Sequence, residues 1–218
     1  AGLSEFEMGL MFLAACGQTD AELPYPAIVA MNRNAATLHY QHRDRERLPA
    51  SERHSLLLDA GASFAGYASD ITRTHAALRG EFATMLRDMA RTQQSLCAQV
   101  KPGVSFPDLQ LSAFTALAEL LARWGLVRMS AAEIVEARIV DSFMPHGLGH
   151  LLGLQVHDVG GDLACPEGHK LPPPKRFPRL RLTRRLEPGM VVTIEPGIYF
   201  IDSLLARLKK SRHSRQVD

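Results

Sequence analysis

Hydrophobic residues recur at helical spacing in three long stretches of the chain. Phe6, Leu10 and Leu13 fall on one face of a segment running from Ser4 to Cys16. Ser4-Glu-Phe-Glu7 opens it in the capping-box order, a hydroxyl followed three residues later by a glutamate. Leu, Ala and Phe recur in the same way over 81–100 and 106–124, separated by Lys101-Pro-Gly. Ser105 suits the cap of the later helix, with Pro107 tolerated in its first turn. A short helix opens at Ser130-Ala-Ala-Glu133, a second capping box. Shorter apolar runs read as strands: 27–31, 36–40, 55–59 with a return through Asp70 to Thr74, then 190–195 and 198–200. The stretch 165–178, with Pro166, Pro172, Pro173 and Pro174, reads as a loop. Helices flanking an antiparallel curved sheet make an α+β domain, with no internal repeat.

Composition narrows the class. A chain of 218 residues, 46% hydrophobic, can bury one proper core. A net charge of +2 gives no strong pull toward nucleic acid or membrane, and the basic run after Leu208 reads as a solvated end. Cys16, Cys97 and Cys165 are odd in number and widely spaced, which predicts reduced thiols and a cytoplasmic setting. No apolar run approaches membrane-spanning length, and no signal peptide is visible.

Polar groups interrupt this pattern where polarity is costly. Asp59 ends the apolar run Ser55-Leu-Leu-Leu-Asp59, and a charge there needs a partner or a metal. Asp70 follows eleven positions on, a length that suits two strands and a short turn and returns the second carboxylate beside the first. Two carboxylates that close drive one another toward protonation unless cations sit between them. The segment from Met144 to Asp158 carries His146, His150 and His157. Gly147, Gly149 and Gly153 break any helix there, so His146 and His150 do not share a helical face. Glu195 ends Met190-Val-Val-Thr-Ile-Glu195, which Pro196-Gly197 stops. Singly, these are a turn cap, a surface imidazole or an ion-pair member. Together they predict a site for one or two divalent cations, because imidazole and carboxylate are the donors such ions take.

The segments Leu57-Leu-Asp-Ala-Gly61, Gly66-Tyr-Ala-Ser-Asp-Ile-Thr-Arg-Thr74, Phe143-Met-Pro-His-Gly-Leu-Gly-His150, Gly153-Leu-Gln-Val-His-Asp-Val-Gly-Gly161 and Thr193-Ile-Glu-Pro-Gly-Ile-Tyr199 resemble those of the pita-bread metallopeptidases, the family of prolidase, aminopeptidase P and methionine aminopeptidase. The likeness to bacterial prolidases is close, the same strings also resemble bacterial organophosphorus acid anhydrolases, and it runs from about Ser4 to about Leu205. The resemblance implies the pita-bread fold and hydrolysis of Xaa-Pro dipeptides, with Xaa-Pro aminopeptidase or organophosphate hydrolysis as alternatives. A creatinase-like hydrolase and a non-enzymatic binding module of the same fold rank below. It implies Asp59, Asp70, His150 and Glu195 as ligands of two divalent ions, manganese first, with cobalt or zinc possible. It implies His146 and His157 as catalytic histidines, His39 and Arg184 as substrate-binding residues, a proline-containing dipeptide as the substrate, and homodimers.

One departure counts. The family pattern includes a fifth ligand, a glutamate in a Gly-Gly-Ile-Arg-Ile-Glu-Asp context, and this chain contains no such segment. An N-terminal family domain is also missing from it. The expectation is a catalytic domain without its last strands, binding metal weakly or partially and turning over dipeptide negligibly by itself.

Overall fold

The capping box at Ser4 forms: its hydroxyl accepts the Glu7 N–H and the Glu7 carboxylate reaches back to the Ser4 N–H at 2.9 Å. Helix α1 (Glu5–Cys16) follows and ends at Gly17, whose φ of 67° closes it in the left-handed conformation. This opens the computed structural model, which describes residues 2–164 and 167–217. Two units make up the chain, residues 1–86 with 152–158 and residues 87–151 with 159–218.

In the first unit Leu13 of the expected face of α1 packs against the small core, but the fully buried positions are others. Glu5 and Gly9 are buried, while Leu10 is exposed. The Glu5 carboxylate accepts four hydrogen bonds, from the Met31 N–H at 2.6 Å, Asn34 Nδ2 at 2.9 Å, the Tyr40 hydroxyl at 2.7 Å and the Asp44 N–H at 2.8 Å. A buried carboxylate is tolerable when saturated in this way, and a position in the first helical turn favours it further. The chain over 32–44 therefore winds about Glu5. It forms a 3₁₀ turn at Asn32–Ala36 in place of the strand expected over 36–40. Its polar groups go to a side chain rather than to a neighbouring strand.

Three strands form an antiparallel sheet in the order β1 (Ile28–Met31), β2 (Ser55–Ala60) and, after a hairpin, β5 (Ile71–Ala76). The register places Asp59 opposite Ile28 on one side and Thr72 on the other. The hairpin between β2 and β5 is β3 (Ser63–Phe64) and β4 (Tyr67–Ala68). Its two turn residues, Ala65 and Gly66, have φ of 50° and 83°, the doubly left-handed turn that matches strand twist. Leu23, Ala27 and Ala60 form this unit's small core, with Phe12, Leu13, Cys16 and Leu58 against it.

The second unit is mainly helical: α2 (Glu81–Ala98, its first residues counted with the first unit), α3 (Phe106–Arg123), α4 (Ala131–Glu136) and α5 (Asp202–Lys209). Pro107 lies in the first turn of α3, but Ser105 makes no side-chain cap bond. At α4 the Ser130–Glu133 capping box forms in both directions. α3 supplies much of the core, including Phe106, Leu109, Phe114, Leu117 and Leu121. The Trp124 indole N–H donates to Asp88 at 3.0 Å and ties the end of α3 to α2.

The runs 190–195 and 198–200, expected as strands, form none. Leu151 and Val192 make a single antiparallel bridge. Thr193 N–H donates to the His150 carbonyl, Glu195 N–H to Leu148, and Tyr199 N–H to Phe143. The facing backbone is broken by Gly147 and Gly149, and Pro196 has no N–H, so pairing stays discontinuous. Residues 167–178 form the expected loop, while Cys165 and Pro166 lie outside the described residues. Cys16 and Cys97 are free thiols. Among the described residues no helix is long and apolar enough to cross a membrane.

Candidate metal centre

The two aspartates meet because a ladder brings them together. Asp59 sits in β2 and Asp70 directly precedes β5, whose first residue, Ile71, pairs with Ala60. Glycine at 61 is required: a Cβ there would lie 1.8 Å from the Ser69 carbonyl oxygen. The Ser69 N–H donates to the Ala62 carbonyl and the Ala62 N–H to the Ser69 hydroxyl, both at 2.9 Å, which closes the return. Between the carboxylates stands the Tyr25 hydroxyl, 2.7 Å from Asp59 Oδ1 and 2.8 Å from Asp70 Oδ1. One phenolic proton serves two acceptors, so only one can receive it at a time. Burial, then the two carboxylate charges, push the Tyr25 phenol far above its ordinary range. Tyr25 escaped the sequence reading. Its one signal is the Pro24-Tyr-Pro26 string, which disfavours helix at Leu23 and Tyr25, in the bend just before β1.

The second pair rests on irregular backbone. His150 is 4% exposed. Its Nδ1 lies 2.8 Å from the Leu151 carbonyl oxygen, so Nδ1–H donates there and Nε2 is left to face Glu195 Oε1 at 3.2 Å. Thr193 joins the two: its hydroxyl accepts from the His150 N–H at 3.0 Å and donates to Glu195 Oε1 at 2.9 Å. The alternation of Thr193-Ile194-Glu195, which places residues two apart on one side, was the available signal. A Cβ at Gly149 would fall 2.1 Å from the Thr193 carbonyl oxygen, so only glycine lets the two backbones approach.

His146 is half-buried, its Nδ1 2.8 Å from the Gly147 carbonyl and its ring edge-on to Tyr199 at 5.4 Å. Its Nε2 is buried with no hydrogen-bond partner among the described residues. The residue lines a cavity of about 220 Å³ with Met144, Arg176 and Phe177 in its wall. His157 is exposed in the 152–158 segment of the first unit. His39 is exposed in a turn with φ 55°. Arg184 pairs with Glu187 at 2.5 Å.

The structure thus brings Asp59 to Asp70 and His150 to Glu195. Among the described residues no group of three or more His, Cys, Asp and Glu side chains is gathered to hold a metal ion. The donor chemistry of each pair nonetheless fits a divalent cation. Asp59 and Asp70 direct two hard oxygens at a point now filled by a single O–H. At His150 and Glu195 an imidazole nitrogen faces a carboxylate oxygen, a contact satisfied by a proton on Nε2 or by a cation that takes both lone pairs.

A profile of metallopeptidase family M24 matches residues 1–213. The Xaa-Pro dipeptidase of Aeromonas hydrophila subsp. hydrophila is 49% identical over 218 residues, covering 100% of this chain and 50% of that protein. The Xaa-Pro dipeptidase of Stenotrophomonas maltophilia (strain R551-3) is 48% identical over 219 residues, covering 100% and 49%. The chain spans about half the length of these curated relatives. Among solved structures, the low-pH form of Escherichia coli aminopeptidase P superposes with a TM-score of 0.71 at 28% identity, over 91% of this chain and 42% of that one. The zinc-substituted form of that enzyme in complex with product gives 0.72 at 28%, with the same coverage.

Proposed function

The chain belongs to metallopeptidase family M24, and from that premise we propose that it is the metal-binding part of a peptidase that cleaves Xaa-Pro dipeptides. The observation that carries the reading is the donor chemistry of two close pairs, Asp59 with Asp70 and His150 with Glu195. In this reading the four side chains hold two divalent cations. A mainly carboxylate set suits manganese, with cobalt or zinc as substitutes. The Xaa-Pro dipeptidases and the zinc-substituted, product-bound aminopeptidase P among its relatives support the choice of substrate and of metal chemistry.

When bound, the cations would supply Lewis acidity and would lower the pKa of a water toward neutrality, the chemistry that hydrolysis at the carbonyl before proline needs. The chain's own residues do the rest. The His146 Nδ1–H is held by the Gly147 carbonyl, which leaves Nε2 as the acceptor that takes the proton released by the attacking water and passes it to the departing proline amine. His157 donates to the substrate carbonyl oxygen as negative charge develops on it. Arg184 exchanges Glu187 for the proline carboxylate, a bidentate partner, and His39 adds a second donor.

Manganese uptake by the chain, measured by titration calorimetry together with release of proline from Gly-Pro, tests this. Uptake should fall in Asp70→Asn and His150→Ala. His157→Ala should keep the metal content and lose about 10²–10³ in whatever manganese-dependent rate the chain shows. Uptake indifferent to both ligand substitutions would overturn the assignment.

A further inference from the structure

We infer that Gln110 is the positioning residue of the His146–His150 loop, and through it of the His150 imidazole. The inference rests on the peptidase reading only in taking His150 as a metal ligand. Gln110 lies on the buried stripe of α3 with Leu109, Ala113, Phe114 and Leu117, and is 1% exposed. A glutamine at a core position is costly unless both ends of its amide are bonded. Here only one end is. Oε1 accepts the Leu148 N–H at 2.6 Å, while Nε2 is buried with no partner among the described residues. Methionine or leucine would fill the same space without an orphan donor. The contact to Leu148 is what the glutamine supplies and they do not.

Leu148 is the midpoint between the two histidines and is fully buried. No helix or ladder supplies its N–H with an acceptor, and a buried unpaired N–H is disfavoured, so the Gln110 amide takes that place. The Leu148 carbonyl accepts from Glu195 N–H at 2.8 Å. One residue thereby joins α3 on one side to the Glu195 backbone on the other. The loop has little slack: a Cβ at Gly147 would sit 3.1 Å from the Arg179 carbonyl oxygen, and one at Gly149 2.1 Å from that of Thr193. A displacement of Leu148 is therefore passed to His150, whose own N–H is fixed to the Thr193 hydroxyl. The sequence carried a signal for this residue, a lone polar side chain on the apolar stripe of α3.

The test compares three variants of the whole chain. Gln110→Met keeps the volume and removes the acceptor. Gln110→Glu keeps an acceptor oxygen, its carboxyl protonated in the core. Leu117→Ala weakens the same helix without touching the loop. Amide hydrogen exchange at residues 148–150 and manganese affinity are read on each. Gln110→Met should speed exchange at those amides selectively and weaken manganese by about 10–100-fold, the usual loss when a partner that orients a ligand is removed. Gln110→Glu should return both toward wild type. Leu117→Ala should lower the melting temperature and leave the affinity in place. Unchanged exchange in Gln110→Met, loss in Gln110→Glu equal to that in Gln110→Met, or equal loss of affinity in Leu117→Ala would each overturn the inference. If the wild-type chain takes up no manganese, the peptidase reading fails, and the exchange pattern alone decides the role of Gln110.

Discussion

The carboxylate pair of the first unit shares the Tyr25 hydroxyl, and the imidazole–carboxylate pair of the second meets directly, yet the two are held in different ways. Asp59 takes its place from a register: β2 is bonded on both sides, to β1 and β5, over its length. His150 and Glu195 stand on backbone with one isolated bridge nearby, and named side chains do the positioning, Thr193 between them and Gln110 behind Leu148. A ladder spreads the task over many equivalent bonds, so no single side chain decides where Asp59 lies. Irregular backbone concentrates it in a few contacts, each of which can be lost by one substitution.

The sharpest challenge to that contrast comes from within the first unit, where Glu5 alone gathers four donors from 31–44. Glu5→Ala leaves buried donors without an acceptor and should cost about 3 kcal/mol or more in urea unfolding. Amide exchange should then quicken over 32–44 while the β2–β5 ladder stays protected. If the ladder loses protection with the loop, the unit depends on one side chain and the contrast breaks.

A smaller effect compares the pairs directly. Thr193→Val removes an acceptor for the His150 N–H and a donor to Glu195 at nearly constant volume, at a cost of about 1–3 kcal/mol. Nuclear magnetic resonance shifts of the His150 ring should move. Tyr25→Phe removes a hydrogen bond to two carboxylates, yet Asp59 should keep its β2 backbone shifts, because its neighbours on both sides are intact. Equal backbone displacement in both variants would show the ladder to be no protection.

The smallest effect is one of acid. The Arg47 guanidinium, followed by the Ser4 backbone N–H, lowers the Glu7 carboxyl from 4.5 to about 2. A depressed carboxyl contributes stability above its unfolded value and loses it as pH falls from about 4.5 toward 2. Glu7→Gln should flatten the acid side of the melting curve over that window. The Glu7–Arg47 pair is partly exposed to solvent, so added salt should shrink the difference. A melting curve of unchanged shape in the variant would mean the α1 cap is not coupled to folding of the first unit.

Much of the frame was legible from pattern alone, for physical reasons that differ by element. The capping boxes at Ser4 and Ser130 are local chemistry, complete within four residues, and both form. The 55–59 strand and its return through Asp70 carry alternation and turn signals that fix a hairpin, and the ladder follows. The expected strands at 36–40 and 190–200 failed because strand formation needs a partner of matching length. The first was taken by Glu5, and the second faced a glycine-broken segment. The apolar face of α1 misled for the same reason, since the buried carboxylate is the organising group and Leu10 is left outside. The donor pairs were legible as strand-end carboxylates and a glycine-flanked histidine. Tyr25, Thr193 and Gln110, which hold them, act through contacts that span 34–45 residues, a range that local pattern does not reach.

The bond from Trp124 to Asp88 has an optical consequence. The chain has one tryptophan, and its indole is anchored at the junction of α2 and α3, within the second unit. Three of the four tyrosines, Tyr25, Tyr40 and Tyr67, lie in the first. Emission excited at the red edge of protein absorption therefore follows the helical unit that carries His150. Tyrosine absorbance is weighted toward the sheet that carries the aspartates. The two units carry separate colours, and the melting of each can be watched apart without any label.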